Sequence, residues 1–111
     1  MNAIERFLKY VAIDTQSDEE STTYPSTQKQ VGFLSMLATE LEGLGVSVDF
    51  DGKYVIGSLE RMDSNTTLAF IAHVDTSPAV SGANVKTVLT KYNGGDIVLE
   101  NAVIDCDRAI H

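Results

Sequence analysis

The chain has 111 residues, room for one domain or part of one, with 8 basic and 16 acidic side chains and a net charge of −8. That balance offers no basic face for phosphate, which argues against nucleic-acid partners. The single cysteine, Cys106, excludes an internal disulfide and suits a reducing compartment.

Hydrophobic content of 43% and charged content of 22% are ordinary globular values. No apolar run approaches the ~20 residues that cross a bilayer, so no membrane span is expected. Charges interrupt the apolar N-terminal stretch MNAIERFLKYVAID, which therefore lacks a signal-peptide core. The expectation is a soluble cytoplasmic protein.

Residues Ala3 to Ile13 have helical periodicity. Ile4, Phe7, Leu8 and Val11 fall on one face, with Asn2 as N-cap and Glu5 at the capping-box position. Asp14 to Tyr24 is polar and reads as a loop. A second helix is predicted from about Ser26, after Pro25, with Ser26 or Thr27 as cap. Val31, Leu34, Leu37, Ala38, Leu41 and Leu44 form its apolar face, and Gly45 ends it in the left-handed conformation.

Val46, Val48 and Phe50 then alternate with polar residues, as a half-buried strand does. Asp51-Gly52 predicts a two-residue hairpin turn, with Tyr54 to Leu59 as the return strand. Leu68-Ala69-Phe70-Ile71-Ala72 is apolar at every position. That pattern predicts a strand buried on both faces of a mostly parallel sheet. Weaker strand signals follow at Val85–Leu89, Ile97–Leu99 and Val103–Ile104. The order helix, helix, hairpin, buried strand gives an α/β fold, with helices packed on a mixed, mostly parallel sheet.

The polarity change at His73 puts that residue at the carboxyl end of the expected strand, where ligands bind in open α/β sheets. In extended backbone, His73 and Asp75 point to the same side. An imidazole whose second nitrogen is held by a carboxylate is a good metal ligand. A surface histidine in a polar loop fits the triplet as well. One imidazole suits zinc, cobalt, nickel or copper alike. The remaining reactive residue types carry less. Ser77 and Ser81 lack a visible His–acid partnership, and Gly94-Gly95-Asp96 lacks the Lys-Ser/Thr of a phosphate loop. Cys106 has no second cysteine beside it, and His111 is terminal. Pro78 is expected to shape the loop after the histidine.

Four ordered blocks carry a resemblance. The first is Glu5-Arg6-Phe7-Leu8 with Tyr10-Val11. The second is Asp14-Thr15-Gln16-Ser17. The third is Tyr24-Pro25-Ser26-Thr27, followed by Gln28 or Gln30. The fourth is His73-Val74-Asp75-Thr76-Ser77-Pro78 with Ser81-Gly82, Asn84-Val85, Tyr92 and Gly94-Gly95-Asp96-Ile97. Together they resemble the M20 zinc metallopeptidases of the peptidase T (tripeptide aminopeptidase) type. Ala79, where an acidic residue is common, and the tail from Glu100 to His111 depart from the pattern.

The resemblance implies that residues 1–111 are the N-terminal portion of a catalytic α/β domain. That domain holds two zinc ions and carries a smaller lid used for dimerisation. His73 matches the first zinc ligand, and Asp75 the catalytic aspartate that orients it. Such enzymes hydrolyse small peptides, here tripeptides, with a dizinc-activated water and a glutamate base. The remaining ligands are absent after His73: there is no Gly-Ala-Asp-Asp block and no Glu-Glu pair. Catalytic zinc needs three protein ligands. A chain ending at His111 is therefore expected to be inactive and to bind zinc weakly or not at all. The alternatives are another M20-type amidohydrolase, a deacylase or dipeptidase, or a truncated non-catalytic segment.

Overall fold

The computed structural model describes residues 1–60, 63 and 65–106. His111 and Asp107 lie outside the described residues. Helix α1 spans Ala3–Val11 and α2 spans Gln28–Gly43. The strands are β1 Ser47–Phe50, β2 Val55–Ser58, β3 Ile97–Val98 and β4 Val103–Ile104.

α1 starts at the expected cap. Asn2 Oδ1 accepts from the Glu5 amide at 2.9 Å, and Glu5 Oε2 accepts from the Asn2 amide at 2.7 Å. The reciprocal pair satisfies two otherwise orphaned donors. The helix stops at Val11, two residues short of the expected Ile13. α1 buries no residue fully, and Ile4 and Phe7 are exposed. It is held on α2 by polar contacts and one ring contact. Arg6 and Lys9 reach Glu40 at 3.3 and 2.7 Å. Tyr10 meets Phe33 edge-on, with ring centroids 5.6 Å apart.

α2 closes as its sequence predicts. Gly45 takes φ +83°. The amides of Gly45 and Val46 donate to Glu42 and Leu41 carbonyls at 2.9 and 3.1 Å. This is the paired bonding of a Schellman ending, open to glycine because it has no Cβ. The buried stripe is Gln30, Phe33, Leu34 and Ala38. Phe33 and Gln30 extend the expected apolar face, and Leu44, at the cap, is exposed.

β1 and β2 pair antiparallel, Phe50 opposite Val55. The connection is therefore four residues, Asp51 to Tyr54, and not the predicted two. Asp51 Oδ1 accepts from the Lys53 and Tyr54 amides at 2.8 and 2.9 Å, which draws both residues into the turn. Those bonds, Tyr54 first, hold the Asp51 carboxyl below its ordinary range. The hairpin packs on α2 through Gly57. A Cβ there would lie 2.9 Å from Val46 Cγ1 and 3.6 Å from Leu41 Cδ1.

The sheet corrects the sequence reading. It is not mostly parallel: the described strands form two separate two-stranded antiparallel ladders, β1–β2 and β3–β4. Residues 68–72 lie outside any strand, with Leu68 80%, Phe70 96% and Ile71 97% exposed. Residues 85–89 are likewise outside a strand. An all-apolar strand is stable only with paired edges and a covering layer on each face. α2 already carries the hairpin, and no other described element covers 68–72.

The radius of gyration, 17.6 Å, exceeds the ~13 Å of a compact chain this long. The accessible surface, 9484 Å², exceeds the ~6000 Å² typical of a folded monomer of 12.0 kDa. The fold is thus a small α/β unit, α2 on its hairpin, with a long segment bonded at Thr76 to the stretch before α2. Among the described residues, no helix is long and apolar enough to cross a membrane.

Candidate functional site

The bridge at Thr76 is where the segment carrying His73 meets the start of α2. Asp14 to Ser17, read from sequence as loop, is fixed along the start of α2. Gln30 Nε2 donates to the Thr15 carbonyl at 3.3 Å, and Thr27 Oγ1 to the Gln16 carbonyl at 3.1 Å. Lys29 Nζ pairs with Asp14 Oδ2 at 2.6 Å. Thr15 and Gln30 are 4% and 3% exposed, the two buried polar residues among those described. Their burial is tolerable because their polar atoms are paired.

The outer edge of Asp14–Ser17 then receives Thr76 in a parallel bridge. The Thr76 amide donates to the Thr15 carbonyl at 3.2 Å, and the Ser17 amide to the Thr76 carbonyl at 2.9 Å. Ser17 Oγ adds a second bond to that carbonyl, also 2.9 Å. Gln16 Nε2 donates to the Pro78 and Val80 carbonyls, each at 3.1 Å. Gly82 closes against the same spot; a Cβ there would lie 3.0 Å from both Asp14 Oδ1 and Thr76 Oγ1. The backbone just beyond Asp75 is therefore held by Thr15, Gln16 and Ser17.

His73 Nδ1 lies 2.9 Å from Asp75 Oδ1. A carboxylate oxygen accepts, so the contact fits Nδ1 as the donor, and a neutral ring bonded this way has its lone pair on Nε2. The ring is largely exposed. This is the arrangement in which a carboxylate steadies a metal-binding imidazole. The rest of a metal site is not gathered around it. Among the described residues, no group of three or more His, Cys, Asp or Glu side chains is placed to hold an ion. The residues present fit one ligand and its orienting partner, and do not fit a whole catalytic zinc site.

The other candidates have local roles. Ser77 and Ser81 hydroxyls accept from the Ala79 and Ala83 amides at 3.2 Å, turn-forming bonds that leave no base beside them. Cys106 Sγ is 3.7 Å from the Ile104 carbonyl. The Pro78 carbonyl, as one of the two bonded by Gln16, anchors the loop after the histidine. Sequence reading missed Thr15, Gln16 and Gln30 as supports of the site. The available signal was Gln30 itself, a polar residue one turn before Phe33 and Leu34 on the buried stripe of α2.

No protein-family model matches the chain. Peptidase T of Clostridium botulinum strain 657 is 49% identical to it over 104 residues. That alignment covers 88% of this chain and 25% of the relative. Peptidase T of Parabacteroides distasonis is 46% identical over 112 residues, 94% of this chain and 27% of the relative. Peptidase T of Geobacillus thermodenitrificans is 49% identical over 102 residues, 86% and 25% respectively. The chain spans about a quarter of the length of these curated relatives. Over nearly all of its length, the chain is a homologue of peptidase T.

Proposed function

We propose that residues 1–111 are the N-terminal part of the catalytic domain of a cytoplasmic M20-type tripeptide aminopeptidase, and that His73 is one of its zinc ligands. The observation that carries this is the His73–Asp75 pair, 2.9 Å apart, inside a sequence nearly half identical to peptidase T. Accepting from Nδ1, Asp75 would leave the Nε2 lone pair of the neutral ring for the metal. Thr15 and Ser17 hold the backbone of Thr76, the residue that follows the pair. Zinc, when bound, supplies an activated water and polarises the scissile carbonyl. The other ligands, the glutamate base and the groups that read the peptide's free amine come from polypeptide beyond these residues. A lid domain and a homodimer belong to that larger assembly.

The same donor set supports a second statement: residues 1–111 alone are expected not to turn over tripeptides, because among the described residues His73 has no further ligands gathered around it and one imidazole does not hold catalytic zinc. This favours a role as part of a larger whole over an independent enzyme. Deacylase or dipeptidase activity on the same scaffold is the competing chemistry, and substrate preference separates them.

A chimera tests the reading. The aligned stretch of the Clostridium botulinum relative is replaced by this chain, and release of the N-terminal residue from a tripeptide is assayed with zinc. Expected are activity in the chimera and its loss on His73→Ala. A folded chimera that is inactive, or one that keeps its activity after His73→Ala, refutes the proposal.

A further inference from the structure

The His73–Asp75 pair is exposed, yet the backbone beside it shares a carbonyl acceptor with a buried side-chain amide one layer down. Gln30 sits in the first turn of α2 with its carboxamide fully engaged. Its Oε1 accepts from the Thr27 amide and the Ser26 hydroxyl, each at 3.4 Å. Its Nε2 donates to Ser26 Oγ and to the Thr15 carbonyl, each at 3.3 Å. The Thr15 carbonyl is also the acceptor for the Thr76 amide, the residue directly after Asp75. One carbonyl oxygen thus joins a helix to the site segment.

We propose that Gln30 is a positioning residue for the His73–Asp75 pair, acting through the Thr15 carbonyl and the Thr76 amide. The geometry gives it a task that an apolar residue on this stripe lacks. Filling the stripe needs only volume, whereas orienting Thr15 needs a donor at this point. Oε1 and Nε2 are fixed to one carbon of the same planar group, so the Oε1 bonds to Thr27 and Ser26 set the direction of Nε2. With the Thr15 carbonyl aimed outward, Thr76 docks in one register. A slip by one residue would turn His73 and Asp75 to the other side of the extended chain.

The inference rests on the reading of His73 as a ligand, but its test needs neither metal nor turnover. Failure here is therefore distinguishable from failure of that reading in the chimera. Gln30→Glu keeps Oε1 and loses the donor, and Gln30→Met fills the volume and loses both. Two readouts are followed in the 111-residue chain by NMR. One is amide hydrogen exchange at Thr76 and Ser17 compared with the interior of α2. The other is the pair of ring nitrogen shifts of His73 at one fixed pH, which report which nitrogen carries the proton. In both variants, protection of Thr76 and Ser17 is expected to fall about fivefold more than that of α2, the loss equivalent to one hydrogen bond. The His73 proton is expected to lose its preference for Nδ1. Equal losses at Thr76 and in α2, unchanged ring shifts, or chains that no longer fold in either variant would make Gln30 part of the framework alone and overturn the proposal.

Discussion

Lys29 Nζ lies 2.6 Å from Asp14 Oδ2, and this ion pair ties the first turn of α2 to the stretch that receives Thr76. The bond to Lys29, and after it the Gln16 amide, holds the Asp14 carboxyl below its ordinary range. A carboxyl depressed in the folded state stabilises above its unfolded pKa of about 3.9 and loses that contribution as pH falls through its lower folded pKa. Asp14→Asn is expected to flatten the pH dependence of stability below about pH 4. Thermal melts of both chains from neutral to acid pH, at low and high salt, check this. The pair is exposed, so the difference shrinks in high salt.

Gly57 is expected to resist substitution. Its missing Cβ leaves room for Val46 Cγ1, a stiff β-branched side chain that cannot swing aside. Gly57→Ala would gain about 0.4–1 kcal/mol from a less disordered unfolded state. Overpacking at 2.9 Å costs about 1–3 kcal/mol and outweighs it. Urea denaturation should show a net loss of roughly 1 kcal/mol. A stabilised variant would mean that α2 and the hairpin are free to separate.

α1 depends on Glu40. That carboxylate binds Lys9 and Arg6, and its own pKa is lowered by the Lys9 bond first. α1 has no fully buried residue, and beside Glu40 it is held by the Tyr10–Phe33 contact and by half-buried Leu8 and Val11. Glu40→Ala should release α1, seen as loss of amide protection from Ala3 to Val11 while α2 stays protected. Raising salt in the parent chain should move in the same direction.

The stretch Leu68 to Ala72 should make the isolated chain associate. Five consecutive apolar residues without proline or charge, exposed and unpaired by any described strand, are able to pair with other chains. Sedimentation is expected to show concentration-dependent association that Phe70→Lys reduces. Equal association in parent and variant would exclude this stretch as the cause.

Zinc added to the 111-residue chain should perturb the His73 ring without tight binding. His73→Ala should abolish the effect. Asp75→Asn should weaken it about tenfold or more, as loss of an orienting carboxylate does elsewhere. Titration calorimetry and ring chemical shifts measure it. Tight binding at one equivalent would mean that the chain holds further ligands.

Local chemistry was legible in the sequence wherever it acts over a few residues. The Asn2–Glu5 box, the Gly45 ending and the alternation at Val48 and Phe50 all appear where expected. The approach of Asp75 to His73 agrees with their two-residue spacing. What failed were statements about neighbours. Leu68 to Ala72 reads as a buried strand because all its side chains are apolar, but burial requires partners, and composition does not supply them. The pairing of Gln16 with Thr76 left no trace in periodicity, since it is a single bridge between two polar stretches. The Asp51 turn was misjudged because its side chain competes for two backbone amides.

The bridge at Thr76 also sets an order of assembly. α2 and the hairpin are neighbours in sequence and can meet early. Ser17 and Thr76 are 59 residues apart, and bringing them together costs about 4 kcal/mol of chain entropy before any bond repays it. The segment bearing the imidazole is therefore the last to join on folding and the first to leave on warming, while the helix and its hairpin remain intact.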